Sequence, residues 1–252
     1  MREVPPIPPG LYEEVKKLVS GNVHADRVGR LLFSTDASIY QLTPLMAVEP
    51  ASAAEVAALV KLAAARGLSL HPRGAATGLA GESLGPGLVL DMQRSFRCIL
   101  EFDPEKKSVL VEPGLTLLEL NTFLKPHGLM FGPDPSSGNR ATIGGIIANN
   151  STGAHSLLYG YVGGHVEELR LLLSDGVEAT ATRRELTGSG VAAERIRRGL
   201  PGIVEKYRRH FSEYPDMERN RAGYNLRGVC EGERLNILPL LCGSEGTLAL
   251  IT

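Results

Sequence analysis

The chain has 252 residues, a formal net charge of −1 and a 43% share of hydrophobic residues, which is ordinary for a globular protein. No basic run is present, so a nucleic-acid-binding surface is not expected. The first ten residues hold no apolar signal segment, and no apolar stretch reaches the length that crosses a bilayer. We therefore expect a cytoplasmic protein without a membrane span.

The cysteines give no sign of metal or redox chemistry. Cys98, Cys230 and Cys242 stand apart in the sequence, without a C-x-x-C pair. Buried or incidental thiols are the expectation, and neither an iron–sulfur nor a zinc site is predicted in this chain.

The first organised unit begins near Pro44, where "PLMAVEP" predicts a short buried strand. A helix should follow, with Ser52 as N-cap, Glu55 completing a capping box and Gly67 as the left-handed C-terminal residue. "LSLHP" then predicts a second strand. This β-α-β pattern favours a parallel, right-handed crossover.

The loop after that second strand is "RGAATGLAG", residues 73–81, in which small side chains leave the backbone accessible. Bare N–H groups in such a loop can converge on a phosphate. A Rossmann motif is not expected, because the glycine spacing differs and "ESLGPG" follows in place of a helix. A plain structural loop stays open as an alternative.

Antiparallel elements come next. "RCILEFD" and "SVLVEP" flank a polar turn and predict a hairpin, and a helix capped by Thr116 and Glu119 should end at Gly128. A second hairpin is predicted at Asp175-Gly176. Residues 183–220 are charged and are expected to form a solvated, partly helical insertion.

A second glycine-rich segment, "PDPSSGNRATIGGIIANNSTG", spans residues 133–153. It offers hydroxyl groups, and Gly144 and Gly145 open a short apolar helix whose free N–H groups should favour an anion. Two such segments, each beside a strand, predict a long ligand with phosphates in its middle. A dinucleotide fits this pattern better than a mononucleotide.

Three separated motifs, "HPRGAATGLAG", "GPDPSSGNRATIGGIIANNSTGAHSLLYG" and "LCGSEGTLALIT", resemble the FAD-binding domain of vanillyl-alcohol-oxidase-type flavoproteins. The resemblance covers roughly residues 40–252 and is strongest to FAD-linked D-2-hydroxy-acid dehydrogenases. "ERNRAGYNLRGV" is similar to longer members with iron–sulfur domains. The segments "PDPSSGNRATIGG" and "GSEGTL" argue against membership of the related NADPH-dependent flavoenzymes that reduce a UDP-sugar enolpyruvyl ether.

The resemblance implies an α+β fold of two subdomains with the cap domain absent. It implies an N-terminal helical segment over 1–40, a first subdomain over 41–113 and a second over 114–252, the last incomplete at its C-terminus. Members of the family continue into a cap that binds the substrate, so the isolated chain is expected to be inactive.

The resemblance also implies the cofactor contacts. The FAD pyrophosphate would be held by the main chain of Arg73, Gly74, Ala75, Ala76, Thr77 and Gly78. The flavin and its ribityl chain would meet Pro135, Ser136, Thr142, Gly144 and Gly145. Asn149, Ser151 and Gly153 would lie near the isoalloxazine or the pyrophosphate, and Glu245, Gly246 and Ile251 would meet the adenine end.

Two departures from the family pattern concern the first loop. Relatives with covalent flavin often carry a histidine where this chain has Thr77, so non-covalent FAD is expected. Ala75 and Ala76 stand where many relatives have glycine, so we expect neither to need a positive φ.

No catalytic residue is predicted. His155 and His165 lie near the flavin motifs, but no paired carboxylate or metal-ligand spacing accompanies them, and we expect hydrogen-bonded structural histidines. Glu167 and Glu168 are adjacent, so their side chains should point apart and cannot form a general acid–base pair.

The sequence therefore predicts the FAD-binding module of an oxidoreductase acting on D-2-hydroxy acids such as D-lactate or glycolate. The expected partners are a small 2-hydroxy acid and a separate cap-domain or iron–sulfur subunit. The alternative is a non-catalytic flavin-binding remnant or assembly subunit. The sequence leaves the particular acid and the electron acceptor open.

Overall fold

The first sheet of the computed structural model is built from short strands, of which the central two, β2 and β4, are buried. The structure describes residues 4–215, 223–232 and 234–252. The strands run in the order β1-β2-β4-β3, with β1 antiparallel to β2 and the other neighbours parallel. The elements of this part are α1 (Leu11–Leu18), β1 (Val23–His24), α2 (Arg27–Leu32), β2 (Met46–Val48), α3 (Ala53–Arg66), β3 (Leu70–Arg73) and β4 (Leu88–Asp91).

The predicted β-α-β unit is present as β2-α3-β3, but β4 lies between its two strands. Ser52 caps α3 by accepting the Glu55 N–H, and Gly67 ends the helix at φ +63°. The capping box is only half formed, because the Glu55 carboxylate accepts from the Ala51 N–H and from Ser20. Glu55 therefore ties α3 to the segment after α1.

The second half of the chain contains the two predicted hairpins and a second sheet. That sheet is antiparallel, in the order β12-β7-β8-β9. Its elements and their neighbours are β5 (Ile99–Asp103), β6 (Ser108–Val111), α4 (Leu117–Leu124), α5 (Ile143–Ala148), α6 (Ser156–Tyr159), β7 (Glu168–Leu172), β8 (Glu178–Thr182), β9 (Leu186–Thr187), α7 (Val191–Tyr207), β10 (Cys230–Glu231), β11 (Arg234–Leu235), α8 (Leu238–Leu241) and β12 (Leu250–Ile251).

The capped helix predicted after the first hairpin is confirmed as α4. The Thr116 side chain accepts the Glu119 N–H, and the Glu119 side chain accepts the Thr116 N–H, so both halves of the capping box are made. A 3₁₀ turn over 125–127 extends α4, and Gly128 closes it at φ +67°. The α+β class is also confirmed.

Two hydrophobic cores underlie the two sheets, and both receive residues from outside their own sheet. Leu11 and Val15 of α1 are buried in the first core, so the N-terminal segment is part of that packing unit. Leu172 and Leu250 of the second sheet also enter the first core. The β5–β6 hairpin packs instead against the second core, through side chains such as Phe102.

The expectation of a solvated insertion over 183–220 is only partly right. Helix α7 occupies 17 residues of it, and many of its exposed residues are charged, but Ala193 is buried in the second core. Val204 forms a small third core with Val229 and Leu240. Buried side chains of α7 thus attach this segment to the second and third cores. Residues 216–220 lie outside the described part.

Within the described residues, none of the helices combines the length and the apolar character needed to cross a bilayer.

Glu49, directly after β2, is a buried carboxylate that joins the N-terminal segment to the first sheet. Its side chain accepts from Asn22 Nδ2 at 2.8 Å and lies 2.9 Å from His24 Nε2, with Arg94 Nε at 3.4 Å. Burial raises the pKa of Glu49, but the hydrogen bonds from His24 and Asn22 and the charge of Arg94 outweigh it. The pKa of Glu49 therefore lies below its ordinary value.

Glu49→Gln is expected to reduce the fall in the free energy of unfolding on acidification. Because the folded pKa is the lower one, ionised Glu49 stabilises the fold above the unfolded pKa of about 4.3, and this contribution is lost as the pH falls through the folded value. Urea unfolding near pH 7 and near pH 3 should show a smaller fall for Glu49→Gln than for the wild type. The exposed control Glu105→Gln should follow the wild type. Equal falls in all three proteins would contradict this role.

Candidate functional site

One cleft of about 380 Å³ is lined by three separated segments, residues 72–83, 136–151 and 241–251. All but two of the predicted site residues line it, namely Arg73, Gly74, Ala75, Ala76, Thr77, Gly78, Ser136, Thr142, Gly144, Gly145, Asn149, Ser151, Glu245, Gly246 and Ile251. The exceptions are Pro135 and Gly153. Gly153 packs against the chain itself, since a Cβ there would lie 1.9 Å from the Asp134 carbonyl oxygen.

The loop after β3 lines the cleft, and its backbone N–H groups lack partners within the described chain. Across the described chain, no hydrogen-bond acceptor is present for the N–H groups of residues 74–79. The next N–H, that of Ala80, donates to the Glu82 carboxylate at 3.1 Å. Consecutive unpaired N–H groups are the feature with which a backbone loop binds an anion such as a phosphate.

Ala76 adopts a left-handed conformation, with φ of +53°. The expectation that neither alanine of this loop would need a positive φ was therefore wrong for Ala76, and it holds for Ala75. An alanine in this region carries a steric cost of about 1–2 kcal/mol that glycine avoids. The surrounding contacts must hold the Ala76 backbone in place.

The start of α5 is not the open anion site that the sequence suggested. The Ile143 N–H donates to the Leu115 carbonyl at 2.8 Å, and the Gly144 N–H donates to the Pro113 carbonyl at the same distance. The Gly145 N–H donates to its N-cap Thr142 Oγ1. All three N–H groups of the first turn are thus occupied, and the free backbone donors of the cleft lie mainly in the loop after β3.

The glycines of the cleft serve different purposes. A Cβ on Gly74 would lie 2.1 Å from Thr142 Oγ1, and one on Gly144 would lie 2.6 Å from Pro113 Cβ, so both allow backbone segments to approach. A Cβ on Gly145 would meet only Thr142 Oγ1, at 3.1 Å. Gly145 is therefore the one of these three whose missing side chain leaves space in the cleft.

Glu82 is a cleft residue that sequence reasoning missed. Its carboxylate accepts from Asn149 Nδ2 at 2.7 Å, which links the first loop to the end of α5. A Cβ on Gly78 would lie 1.7 Å from Glu82 Oε1. Gly78 thus makes room for this carboxylate, whereas the sequence suggested room for a ligand. The acidic residue eight positions after the loop's first glycine was the available signal.

The third segment reaches the cleft through a turn held by α5. The Gly243 and Glu245 N–H groups donate to the Ile147 and Ala148 carbonyls at 3.1 and 2.9 Å. Gly246 has φ of +75° and packs on Pro72. Part of the "ERNRAGYNLRGV" motif, residues 218–222, lies outside the described residues, while the Tyr224 hydroxyl is 2.8 Å from Thr247 Oγ1.

Arg73 is the only cationic side chain that lines the cleft in the described chain, and its guanidinium is already engaged. It donates to the Phe33 and Thr35 carbonyls at 3.3 and 2.7 Å and lies 5.5 Å from the Phe33 ring centroid. Burial lowers the pKa of Arg73, with Asp36 and Asp91 acting in the opposite direction. The Arg73 side chain is therefore engaged within the protein. The predicted cofactor contact of Arg73 concerns its main chain only.

The two histidines near the cleft differ. His165 Nε2 lies 2.8 Å from the Tyr159 carbonyl, as expected of a structural histidine. His155 does have a paired carboxylate, contrary to expectation: its Nδ1 lies 2.7 Å from Asp134 Oδ2, and its N–H donates to Asp134 Oδ1. Sequence spacing hid this pair, because the two residues are 21 positions apart.

The remaining titratable groups do not form a further centre. The three cysteines are free thiols, and burial raises the pKa of Cys242 to about 12, which makes it unreactive. Glu167 pairs with Arg183 and Glu168 with Arg170, so the adjacent carboxylates point apart as predicted. No group of three or more metal-binding side chains occurs in the part of the chain that the structure describes.

A loop of unpaired N–H groups in a cleft formed by three glycine-bearing segments has the features of an anion-binding site. The family model described as "FAD binding domain" matches residues 44–182, and the chain belongs to this family. The predicted resemblance is therefore confirmed, and FAD is the cofactor of the family.

The chain is similar to several flavin-linked enzymes. It is 37% identical to D-2-hydroxyglutarate dehydrogenase of Escherichia coli over 96% of this chain and 25% of that protein. It is 34% identical to glycolate oxidase subunit GlcD of Bacillus subtilis over 63% of this chain and 34% of that protein. The chain spans about a quarter of the length of its D-2-hydroxyglutarate dehydrogenase relatives.

The fold is also found in solved structures. An alkyldihydroxyacetonephosphate synthase matches with a TM-score of 0.68 and 21% identity, covering 97% of this chain and 39% of that chain. A BBE-like 1 protein of Physcomitrella patens matches with a TM-score of 0.59 and 22% identity, covering 68% of this chain and 37% of that one. At these identities the matches establish the fold.

Ala76→Gly is expected to leave stability unchanged or to raise it by about 1 kcal/mol, because relief of the left-handed strain offsets the added chain entropy. The matched control Ala75→Gly relieves no such strain and should lose about 0.4–1 kcal/mol. Chemical unfolding of both variants without ligand measures the difference. An Ala76→Gly variant less stable than Ala75→Gly would show that Ala76 is not held at a positive φ in solution.

Proposed function

We propose that this chain binds FAD non-covalently as the flavin module of an oxidoreductase that dehydrogenates a D-2-hydroxy acid. The observation that carries the proposal is the run of unpaired N–H groups over residues 74–79 in a cleft shared by three glycine-bearing segments. A dianionic pyrophosphate is the group that such a loop accommodates without a cationic side chain. A cytoplasmic location stays a prediction from the sequence.

We expect the ligand to extend along the cleft in the order that the motifs predict. The main chain of residues 73–78 would hold the pyrophosphate, and the space beside Gly145 and Ser136 would receive the flavin and ribityl chain. Asn149 and Ser151 would follow, and the adenine end would meet Glu245, Gly246 and Ile251. Pro135 and Gly153 lie outside the lining, so they would act by shaping the segment between them and the cleft. Thr77 offers no imidazole for a covalent bond.

When bound, FAD supplies the two-electron oxidising chemistry, while the protein supplies binding and orientation. The substrate class is supported by the names of the relatives, which mention D-2-hydroxyglutarate, glycolate and D-lactate. Each of these acids has a hydroxyl on the carbon next to a carboxylate. A carboxylate substrate needs a cationic partner. Since Arg73 is engaged by the Phe33 and Thr35 carbonyls, that partner would come from outside this cleft.

A partner domain or subunit would therefore complete the enzyme. The name of one relative, glycolate oxidase subunit GlcD, supports an arrangement in which the flavin module works within an assembly. A cap-domain chain or an iron–sulfur subunit is the partner we propose.

Gly145→Val should weaken FAD binding about tenfold or more, equivalent to about 1.4 kcal/mol, because the side chain would occupy open cleft space. Gly199→Val is the matched control: Gly199 also lies in a helix, α7, and a Cβ there meets nothing within 4 Å. Titration of flavin fluorescence measures both affinities, and heat denaturation should release intact FAD from the wild type. Equal affinities of the two variants, or release of FMN, would contradict the assignment.

The chain alone, loaded with FAD, should not be reduced by D-lactate, glycolate or D-2-hydroxyglutarate under anaerobic conditions. Hydride transfer needs the reacting atoms held about 3–3.5 Å apart, and the cleft offers no free cation to fix the substrate carboxylate. Dithionite should still bleach the flavin, which serves as the positive control. Bleaching by any of these acids would refute the expectation and would direct attention to the His155–Asp134 pair. Wild-type protein that binds no FAD would refute the function itself.

A further inference from the structure

Residues 33–40, which we call the N-terminal strap, run along the loop after β3 and lie outside the segment matched by the family model. The strap is closed on itself by an antiparallel bridge between Thr35 and Gln41 and by the Leu42 N–H, which donates to the Ser34 carbonyl at 2.9 Å. Ser34 is completely buried. The strap is thus a fixed element next to the cleft.

The strap contacts the loop at its beginning, its middle and its end. At the beginning, Arg73 donates to the Phe33 and Thr35 carbonyls. In the middle, the Ala37 N–H donates to the Ala76 carbonyl at 3.1 Å. These contacts use the Arg73 side chain and the Ala76 carbonyl, and they leave the N–H groups of residues 74–79 unpaired.

The strap also contacts the end of the loop and the residues after it, at Gly81 and Ser83. Ser83 Oγ donates to Asp36 Oδ2 at 3.0 Å, while Asp36 Oδ1 accepts the Ser38 N–H at 2.8 Å. Gly81, at φ +84°, lies against Tyr40, since a Cβ there would be 2.9 Å from Tyr40 Cδ2. Burial raises the pKa of Asp36, but hydrogen bonds from Ser38 and Ser83 hold it below its ordinary value, so Asp36 is ionised at neutral pH.

The backbone of Ala76 explains why such support is needed. A left-handed alanine returns to the more favourable right-handed or extended regions unless its neighbours prevent it. The Ala37 N–H holds the carbonyl of this same residue. Rotation of the Ala76 backbone would break that bond and redirect the unpaired N–H groups on either side.

We infer that the strap is the positioning element of the FAD pyrophosphate loop, with Asp36 and Ala37 as its positioning residues. The inference rests on the proposed function for the identity of the ligand. The geometry of the loop, in contrast, can be tested without any ligand.

The first test compares Asp36→Ala with Asp103→Ala. Asp103 also accepts backbone N–H groups in a local turn, from Glu105 and Lys106, and its side-chain bonds in the described chain are confined to that turn. In the FAD-free proteins, hydrogen exchange followed by NMR should show faster exchange of the Ala37 N–H, whose acceptor is the Ala76 carbonyl, for Asp36→Ala only. FAD affinity should fall about tenfold for Asp36→Ala, as expected for the loss of partly buried hydrogen bonds to a charged group, and stay unchanged for Asp103→Ala.

Conservative replacement separates positioning from general stability. Asp36→Asn keeps an acceptor for the Ser38 N–H and a polar partner for Ser83, so it should restore both wild-type exchange and FAD affinity. Ser83→Ala should reproduce the effect of Asp36→Ala from the other side of the bond. It also provides the measurement if Asp36→Ala does not fold.

Wild-type exchange of the Ala37 N–H in both Asp36→Ala and Ser83→Ala would overturn the inference, whatever the affinity for FAD. Faster exchange in these variants with unchanged FAD affinity would overturn it as well. A wild-type protein without FAD affinity would overturn the proposed function, while the exchange pattern would still decide whether the strap positions the loop.

Discussion

The close approach of the loop after β3 to the N-cap of α5 is the constraint on which the cleft depends. Gly74 faces Thr142 so closely that a Cβ would overlap the threonine hydroxyl. Thr142 in turn accepts the Gly145 N–H and forms an antiparallel bridge with Thr116. One threonine thus fixes the start of α5, contacts the N-cap of α4 and sets the separation of two cleft walls, which only glycine at 74 permits.

The electrostatic character of the cleft follows from this arrangement. Its free donors are backbone N–H groups, its only cation in the described chain is committed to carbonyl oxygens, and Glu82 places a negative charge beside the loop. Backbone donors attract an anion through fixed dipoles and do not add a full charge. A ligand must therefore gain affinity from length and contact area as well as from its phosphates, as an extended dinucleotide does.

Local signals in the sequence predicted local structure well. The capping residues of α3 and α4, the two hairpins and the left-handed glycines at 67 and 128 all follow from interactions within a few positions. The insertion of β4 between β2 and β3 could not be predicted in this way, because strand order is decided by contacts between distant segments. The glycine-rich motifs also identified most of the cleft residues, because runs of glycine and other small residues can be recognised in the sequence itself.

What the motifs could not show is how each donor is used. The first turn of α5 has the composition of an anion site, yet its N–H groups donate to Pro113 and Leu115, about thirty residues earlier in the chain. Conversely, nothing in residues 33–40 resembles a ligand-binding motif, yet Ala37 holds the carbonyl of the left-handed Ala76. A glycine marks a position without a side chain, and only the fold shows whether the space is left open to the cleft, as beside Gly145, or filled by another part of the protein, as at Gly74, Gly78 and Gly144. The strap contacts the loop through the Arg73 side chain and the Ala76 carbonyl and uses none of the N–H groups of residues 74–79, so the unpaired donors of the cleft depend on a segment that carries no binding motif.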